Sequence, residues 1–196
     1  QWVRAIQATI DQCPPVDSLD GIALSGNGPT IVPVAADGTP LHDALLWLDT
    51  RENRREGQPS FFLPKIDWYR AHQPESYERT WQFLTCPEYL SCLMGADLHT
   101  TSPSAAFDRY VWDDAGISSY GIRPETLPPI VRPGDQVGRV STRGSELFGF
   151  STGVPILAGG PDFLMSLLGT ATVAPGRTCD RAGTSEGINH CCEEAA

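Results

Sequence analysis

The residues best suited to chemistry lie near the end of this sequence. The apolar run Val154–Ala158 is followed by two glycines, a proline and a single carboxylate, Asp162. An apolar run that ends in a glycine turn predicts a buried strand with that carboxylate at its carboxyl end. An apolar segment follows, and then Gly183-Thr184-Ser185, a small turn of the kind that holds phosphate. An aspartate ahead of a phosphate-binding loop suits the transfer of a phosphoryl group to a hydroxyl.

Both features also have plainer interpretations. Asp162 precedes an apolar helical segment, so it is also placed to cap that helix. Gly-Thr-Ser is common in ordinary hairpin turns. The capping and catalytic roles of Asp162 are compatible, because α/β folds place their chemistry where strand ends meet helix starts.

Composition and charge restrict the classes of protein and partner. The chain has 196 residues, of which 40% are hydrophobic and 19% charged, as in a soluble globular protein with a sizeable core. It contains no apolar run long enough to span a membrane, and its first residues lack a signal-peptide pattern. A net charge of −10 argues against nucleic acid or an anionic membrane as the main partner. ATP is still allowed, because a local loop and a metal ion can hold phosphates within an acidic protein.

The cysteines favour a reducing, cytoplasmic setting. The chain has 6 cysteines and no Cys-x-x-Cys pair. His190, Cys191 and Cys192 together with Cys179 have an alternative interpretation as soft metal ligands. Their spacing matches no zinc pattern, so we interpret them as structural thiols and predict no metal site.

The hydrophobic pattern predicts one α/β domain. Trp2, Ile6 and Ile10 share one face of a helix. The remaining predicted elements are strands at 21–25, 30–35 and 137–140, an apolar run at 41–48, a charged loop or helix start at 49–57, helical structure over 64–95, a connecting segment at 116–135 and a helix at 142–148. No repeat or long linker divides the chain.

Six blocks of the sequence together resemble a known family. They are Gly21-Ile-Ala-Leu-Ser-Gly26, Leu45-Leu-Trp-Leu-Asp-Thr-Arg51, Leu63-Pro-Lys-Ile-Asp-Trp68, Tyr89-Leu-Ser-Cys-Leu-Met-Gly95, Ala158-Gly-Gly-Pro-Asp162 and Ala182-Gly-Thr-Ser185. In this order they are similar to the FGGY carbohydrate kinases, and most of all to their xylulokinase-like members. The resemblance covers about residues 1–190, and the blocks that contain Trp47 and Asp162 are its most specific parts.

The resemblance implies a ribonuclease H-like, actin-like ATPase fold, a mixed sheet flanked by helices, in two domains with a cleft between them. Residues 1–196 resemble part of the first, sugar-binding domain. The opening phosphate-loop strands of that domain and the second, nucleotide-binding domain have no counterpart here. The implied activity is ATP-dependent phosphorylation of a ketose or polyol with Mg²⁺, and we expect the isolated chain to be inactive. The expected partners are a small sugar and ATP, without nucleic acid or membrane, and a homodimer is left open.

The resemblance also implies roles for individual residues. Asp162 matches the catalytic general base, and Gly183, Thr184 and Ser185 match the second phosphate loop. Candidate sugar-binding residues lie in four other parts of the chain: Asn27 and Gly28; Trp47, Asp49 and Arg51; Asp108; and Phe163. A core tryptophan followed by a surface ion pair is the plainer interpretation of the block from Trp47 to Arg51.

The chain departs from the xylulokinase-like pattern at the predicted sugar site. Where that pattern has Gln-Met-His-Gly, this chain has Asn27-Gly28-Pro29-Thr30, and Phe163 stands where the pattern has asparagine. Loss of polar partners changes substrate choice strongly, so we expect a pocket that is roomier on one side and more apolar on the other. Arg181 is a further departure and places a cation beside the phosphate loop. An inactive sugar-binding module with the same fold is therefore the alternative hypothesis, whereas other actin-like ATPases lack the Trp47–Arg51 block.

Overall fold

The computed structural model describes residues 1–13, 18–26, 28–182 and 187–193. Its helices, numbered in chain order, are α1 (Trp2–Ile10), α2 (Leu63–His72), α3 (Pro74–Arg79), α4 (Cys86–Met94), α5 (Asp108–Val111), α6 (Asp114–Tyr120), α7 (Thr142–Phe148) and α8 (Asp162–Gly169). Short 3₁₀ turns cover Ala105–Phe107 and Pro124–Thr126. Within these ranges no helix has the length and apolar character that a membrane crossing requires.

The strands are short and form several small sheets. They are β1 (Ile22–Ala23), β2 (Val32–Val34), β3 (Gln82–Leu84), β4 (Thr100–Thr101), β5 (Ile130–Val131), β6 (Gln136–Arg139), β7 (Pro155–Leu157), β8 (Thr178–Arg181) and β9 (Gly187–His190). One sheet has the order β1-β7-β6, in which β1 runs parallel and β6 antiparallel to β7. The pairs β2–β3 and β8–β9 are antiparallel, and β4–β5 is parallel.

Two apolar clusters hold these elements together. The first lies around β1, β2, β7 and α4 and includes Ile22, Met94 and Ile156. The second lies between α2 and the segments beside it and includes Leu45, Ile66 and Phe83. Leu84 of β3 belongs to the first cluster and Phe83 of β3 to the second, so this strand joins the two halves of the core.

Most of the predicted elements are confirmed, and two predictions are wrong. The helix at 142–148 matches α7, and the strands predicted at 21–25, 30–35 and 137–140 match β1, β2 and β6. The segment 64–95 is not helical throughout, because β3 interrupts it to pair with β2. The segment 116–135 is more than a connection, since it contains the end of α6 and all of β5, which pairs with β4.

The carboxyl ends of β1 and β7 come into unusually close contact. Ile22 pairs with Ile156 and Ala23 with Leu157, and an isolated parallel bridge between Gly26 and Pro161 continues the pair. Between these points, a Cβ atom added to Gly159 would lie 1.7 Å from the backbone oxygen of Leu24. The two chain segments can therefore run this close together only with glycine at position 159.

Candidate functional site

A cavity of about 170 Å³ opens at the carboxyl ends of β1 and β7. Its lining comes from four parts of the chain: the segment after β1, the segment before α2 with Phe107 and Val111, the start of α4 with β4, and the turn after β7. Three of the predicted site residues, Gly28, Asp162 and Phe163, line it together.

Asp162 is placed by the close pairing of β1 with β7. Both strands end at the same edge of the sheet, so the turn through Gly159 and Gly160 brings Asp162 to the cavity as the first residue of α8. The hydroxyl of Ser25 donates to the backbone oxygen of Gly160 at 2.9 Å and holds the turn. The Oδ1 atom of Asp162 accepts from the amide of Phe163 at 2.7 Å, and its side chain is exposed. Asp162 is not the N-cap residue of α8, because Pro161 holds that position and no side chain caps the helix. Asp162 lines the cavity, and its role as a general base stays a prediction.

Phe163 forms part of an aromatic wall. Its ring centroid lies 6.3 Å from that of Phe107, which lies 6.5 Å from that of Phe61, and all three rings line the cavity. The guanidinium of Arg181 lies 5.7 Å from the centroid of Phe163. Two departures from the family pattern, Phe163 and Arg181, are thus stacked on each other.

The start of α2 fixes another part of this wall. The hydroxyl of Ser60 is buried, donates to the backbone oxygen of Val111, and accepts from the amide of Leu63 at 3.1 Å. This links the first turn of α2 to α5 and sets the position of Phe61 and Phe62 at the cavity.

The residues of the block from Trp47 to Arg51 lie in two different environments. Trp47 lies beside the cavity, since a Cβ atom on Gly28 would lie 3.0 Å from the Cβ of Trp47. Asp49 and Arg51 instead bind each other, with Arg51 Nε 3.0 Å and Nη2 2.6 Å from the two carboxylate oxygens. The hydrogen bonds from Arg51 hold the pKa of Asp49 below its ordinary value. The buried Lys65 donates to the backbone oxygen of Asp49 at 2.8 Å, so the pair is also tied to α2.

Asp108 is likewise engaged by an arginine. The guanidinium of Arg132 donates to both of its oxygens, at 2.6 and 2.8 Å, and lowers the pKa of its carboxyl group. Asp108 follows Phe107 directly, so this ion pair fixes the segment that carries one ring of the aromatic wall. Its sugar-binding role stays a prediction.

The structure adds polar residues that the sequence interpretation missed. Glu88 lines the cavity although its residue is only 5% exposed, and its Oε1 accepts from the amide of Thr101 at 3.0 Å. Burial raises the pKa of Glu88 above its ordinary value of 4.5. Thr85, His99 and Thr100 are buried around it on the same lining. The sequence offered one signal, an acidic residue in the first turn of α4 where the neighbouring positions are apolar.

The raised pKa of Glu88 leads to a pH-dependent stability. Folding favours the protonated form, so the contribution of Glu88 is fully present below pH 4.5 and decreases as pH rises toward its raised folded pKa. We therefore expect thermal melts between pH 5 and 8 to show a smaller loss of stability with pH in Glu88→Gln than in the wild type. The difference between the two proteins isolates the contribution of Glu88, because every other titratable group is the same in both. Equal slopes in both proteins would contradict a raised pKa at Glu88.

Other predicted residues fall outside this description. Asn27 and the loop Gly183-Thr184-Ser185 lie outside the described residues. On either side of that loop, Arg181 and Gly187 are paired at the ends of β8 and β9.

Burial raises the pKa of the Cys86 thiol to about 11 and that of Cys92 to about 12, so both stay protonated at neutral pH. In the part of the chain that the structure describes, no group of three or more acidic, histidine or cysteine side chains is arranged to bind a metal.

The sequence of this chain matches a family model over much of its length. Residues 52–169 match the FGGY family of carbohydrate kinases, N-terminal domain. The chain belongs to the FGGY family of carbohydrate kinases. A xylulose kinase of Bacillus subtilis is 27% identical to it over 191 residues, which cover 85% of this chain and 38% of that protein.

Solved FGGY kinase structures share the fold. The match to a xylulose kinase from Rhodospirillum rubrum covers 95% of this chain and 45% of that protein's chain, with a TM-score of 0.79 at 18% sequence identity. A xylulose kinase from Lactobacillus acidophilus also matches 95% of this chain and 43% of its own, with a TM-score of 0.73 at 18% identity. The predicted actin-like ATPase fold is thereby confirmed. The chain spans less than half the length of these FGGY proteins.

Proposed function

We propose that this chain is the acceptor-binding part of an ATP-dependent carbohydrate kinase in which Asp162 is the general base. One observation carries the proposal: an exposed carboxylate lies on a cavity at the carboxyl ends of two parallel strands. Catalytic and binding groups of open α/β sheets collect at this edge. A cavity of about 150 Å³ holds a molecule as large as benzene, so the 170 Å³ found here suits a compact sugar or polyol.

The chemistry required of Asp162 is modest. A carboxylate within hydrogen-bonding reach of an acceptor hydroxyl takes its proton as the oxygen attacks the γ-phosphorus of ATP. The bond between that phosphorus and the β,γ-bridging oxygen breaks, and ADP leaves. The amide of Phe163 donates to Oδ1 of Asp162 and fixes the carboxylate, which leaves its other oxygen for the acceptor. The aromatic wall of Phe61, Phe107 and Phe163 then packs against the C–H face of the acceptor and excludes water.

We propose ATP as the phosphoryl donor and Mg²⁺ as the ion that accompanies its phosphates. The described residues do not form a metal site by themselves, because no group of three or more acidic, histidine or cysteine side chains among them is arranged to hold an ion. We therefore assign no step to the metal. The nucleotide would be held mainly by regions that the longer relatives have and this chain does not span.

The acceptor class follows from the pocket and the relatives. The relatives named above are xylulose kinases, so ketoses of five or six carbons and the related polyols are our candidates. Pro29 and Phe163 stand where the xylulokinase-like pattern has a polar histidine and asparagine, so we expect an acceptor preference different from that of a typical xylulose kinase. We also propose that the protein is cytoplasmic and has no nucleic-acid or membrane partner. Residues 1–196 would form part of one N-terminal domain, and a homodimer stays an open prediction.

A catalytically inactive sugar-binding module is the second candidate. The same two positions favour it, because an apolar neighbour beside the catalytic aspartate weakens acceptor positioning. The two candidates predict different results for one protein: the module binds acceptors without phosphorylating them.

A panel assay tests the proposal. The longest natural polypeptide that contains these 196 residues should be offered D-xylulose, D-ribulose, D-fructose and xylitol with ATP and Mg²⁺, and formation of ADP and of the sugar phosphate measured. We expect turnover of at least one acceptor, and none by the 196 residues alone. Binding without turnover by the complete polypeptide would favour the inactive module. Phosphorylation by the 196 residues alone would contradict the assignment of the nucleotide to other regions.

A further inference from the structure

The start of α4 and strand β4 leave buried polar atoms without partners at the cavity. Among the described residues, Oγ1 of Thr85, Oε2 of Glu88 and Oγ1 of Thr100 are buried and form no hydrogen bond. All three residues line the cavity that contains Asp162. Buried polar atoms are normally paired, so a cluster of unpaired ones on one cavity wall indicates groups kept for a ligand or for bound water.

Glu88 is the best placed of the three to select a ligand. Its Oε1 is fixed by the amide of Thr101, which holds the side chain in one orientation, while Oε2 stays free. The neighbouring lining residue Ser91 is already satisfied, because its hydroxyl donates to the backbone oxygen of Pro87 at 2.8 Å. The free hydrogen-bonding capacity is thus concentrated at Thr85, Glu88 and Thr100, which we call the polar floor.

Many of the other side chains that line the cavity are apolar, which makes the polar floor the place where a buried hydroxyl can form hydrogen bonds. Leu24, Phe62 and Val111, together with the aromatic wall, are apolar. A hydroxyl buried against these side chains would lose its hydrogen bonds to water and gain none. A polyhydroxylated acceptor therefore has a preferred orientation, with its C–H face on the aromatic wall and a hydroxyl on the polar floor.

We propose that the polar floor binds an acceptor hydroxyl other than the one that is phosphorylated, and that Glu88 is thereby a specificity-determining residue. The inference rests on the proposed function, since it assumes that the cavity takes the acceptor. Burial raises the pKa of Glu88, and its Oε2, which is buried and unpaired at the cavity, offers the acceptor hydroxyl a hydrogen-bonding partner. The acceptor class becomes narrower: ketoses and polyols with two separated hydroxyls are selected over their deoxy analogues.

Direct binding to the longest natural polypeptide that contains these 196 residues tests this inference without ATP. Calorimetry should compare D-xylulose, D-ribulose and xylitol with 1-deoxy-D-xylulose and 5-deoxy-D-xylulose, each of which lacks one terminal hydroxyl. We expect at least one of the three hydroxylated probes to bind, and one deoxy analogue to bind about tenfold more weakly than D-xylulose, the factor expected for one buried hydrogen bond.

Substitutions in the polar floor test whether the weaker binding of the deoxy analogue arises there. In Glu88→Leu and in Thr100→Val the difference between D-xylulose and the weaker deoxy analogue should shrink to less than about threefold, because the partner of the missing hydroxyl is gone. Glu88→Gln should keep most of the difference, since its amide both donates and accepts. Thr100→Val keeps the test usable if Glu88→Leu does not fold, because the hydroxyl that it removes forms no hydrogen bond in the described structure. Circular dichroism should confirm that each variant is folded.

The outcomes separate the two proposals. The proposal for the polar floor would be contradicted if Glu88→Leu and Thr100→Val both kept the wild-type difference in affinity between D-xylulose and the weaker deoxy analogue. It would also be contradicted if no probe bound to the wild type. Binding that depends on Glu88, without phosphoryl transfer by the complete polypeptide, would support the floor and count against the kinase assignment alone.

Discussion

Asp162→Asn should reduce kcat for phosphoryl transfer by about 10²–10⁴-fold, the range that general-base catalysis contributes. Asparagine has nearly the same shape, and its carbonyl oxygen can still accept from the amide of Phe163. It cannot take a proton from the acceptor at neutral pH. The chemical step should therefore be lost while the shape of the cavity is kept.

The measurements for Asp162→Asn are steady-state kinetics on the longest natural polypeptide and acceptor binding by calorimetry. Binding should change by less than about threefold, because the asparagine keeps one hydrogen bond to the acceptor hydroxyl. Asp114→Asn is the matched control, since Asp114 is also an exposed aspartate at the first position of a helix, α6. Wild-type kcat in Asp162→Asn would contradict the assignment of the general base.

Gly159→Ala should lower the free energy of unfolding by about 3 kcal/mol or more, at the upper end of what overpacking costs. The added Cβ would lie 1.7 Å from the backbone oxygen of Leu24 and 2.6 Å from its backbone carbon. Neither atom can move aside as a side chain would, so β1 and β7 must separate. Since those strands also place Asp162, acceptor binding should weaken together with stability.

Gly169→Ala is the control for this substitution. Gly169 lies at the end of α8, and a Cβ there would meet nothing within 4 Å. Alanine is the better helix former by up to about 1 kcal/mol, so this variant should be as stable as the wild type or slightly more stable. Urea unfolding followed by circular dichroism compares the three proteins. An unfolding midpoint for Gly159→Ala equal to that of the wild type would show that the strands are not held as closely as described.

Local signals explain which parts of the fold could be predicted from the sequence. Helix α7 was predicted to its exact ends because Ser141 caps its start, with its hydroxyl 3.0 Å from the amide of Gly144, and Gly149 ends it at a φ of 79°. Helix α6 has equivalent signals in Asp113, whose side chain accepts from Gly116, and in Gly121 with a φ of 61°. It was missed because the glycines and prolines around it were interpreted together as a connecting segment.

Strand β3 could not be found in the same way. Its three residues lie between two helices, and its apolar pattern is equally consistent with a buried helix. Only its pairing with β2, about fifty residues away, makes it a strand. Short elements that depend on distant partners have no local signal to predict them.

The candidate site follows the same division. Asp162 was found because a strand end, a glycine turn and a helix start are all encoded within ten residues of sequence. Glu88 was missed because its importance depends on β4 folding against α4, which leaves Oε2 buried and unpaired. The ion pair between Asp49 and Arg51 agrees with the plainer interpretation of that block. The pairing of Asp108 with Arg132 joins distant parts of the chain, so only the structure reveals it.

The stacking of Arg181 on Phe163 has a thermodynamic consequence. Arg181 ends β8, directly before the segment that leads to the predicted phosphate loop, and Phe163 belongs to the acceptor wall. A ligand that orders either residue lowers the entropy cost of ordering the other. Binding of the acceptor and of the phosphoryl donor should therefore be cooperative, and by linkage each should raise the affinity of the other by the same factor.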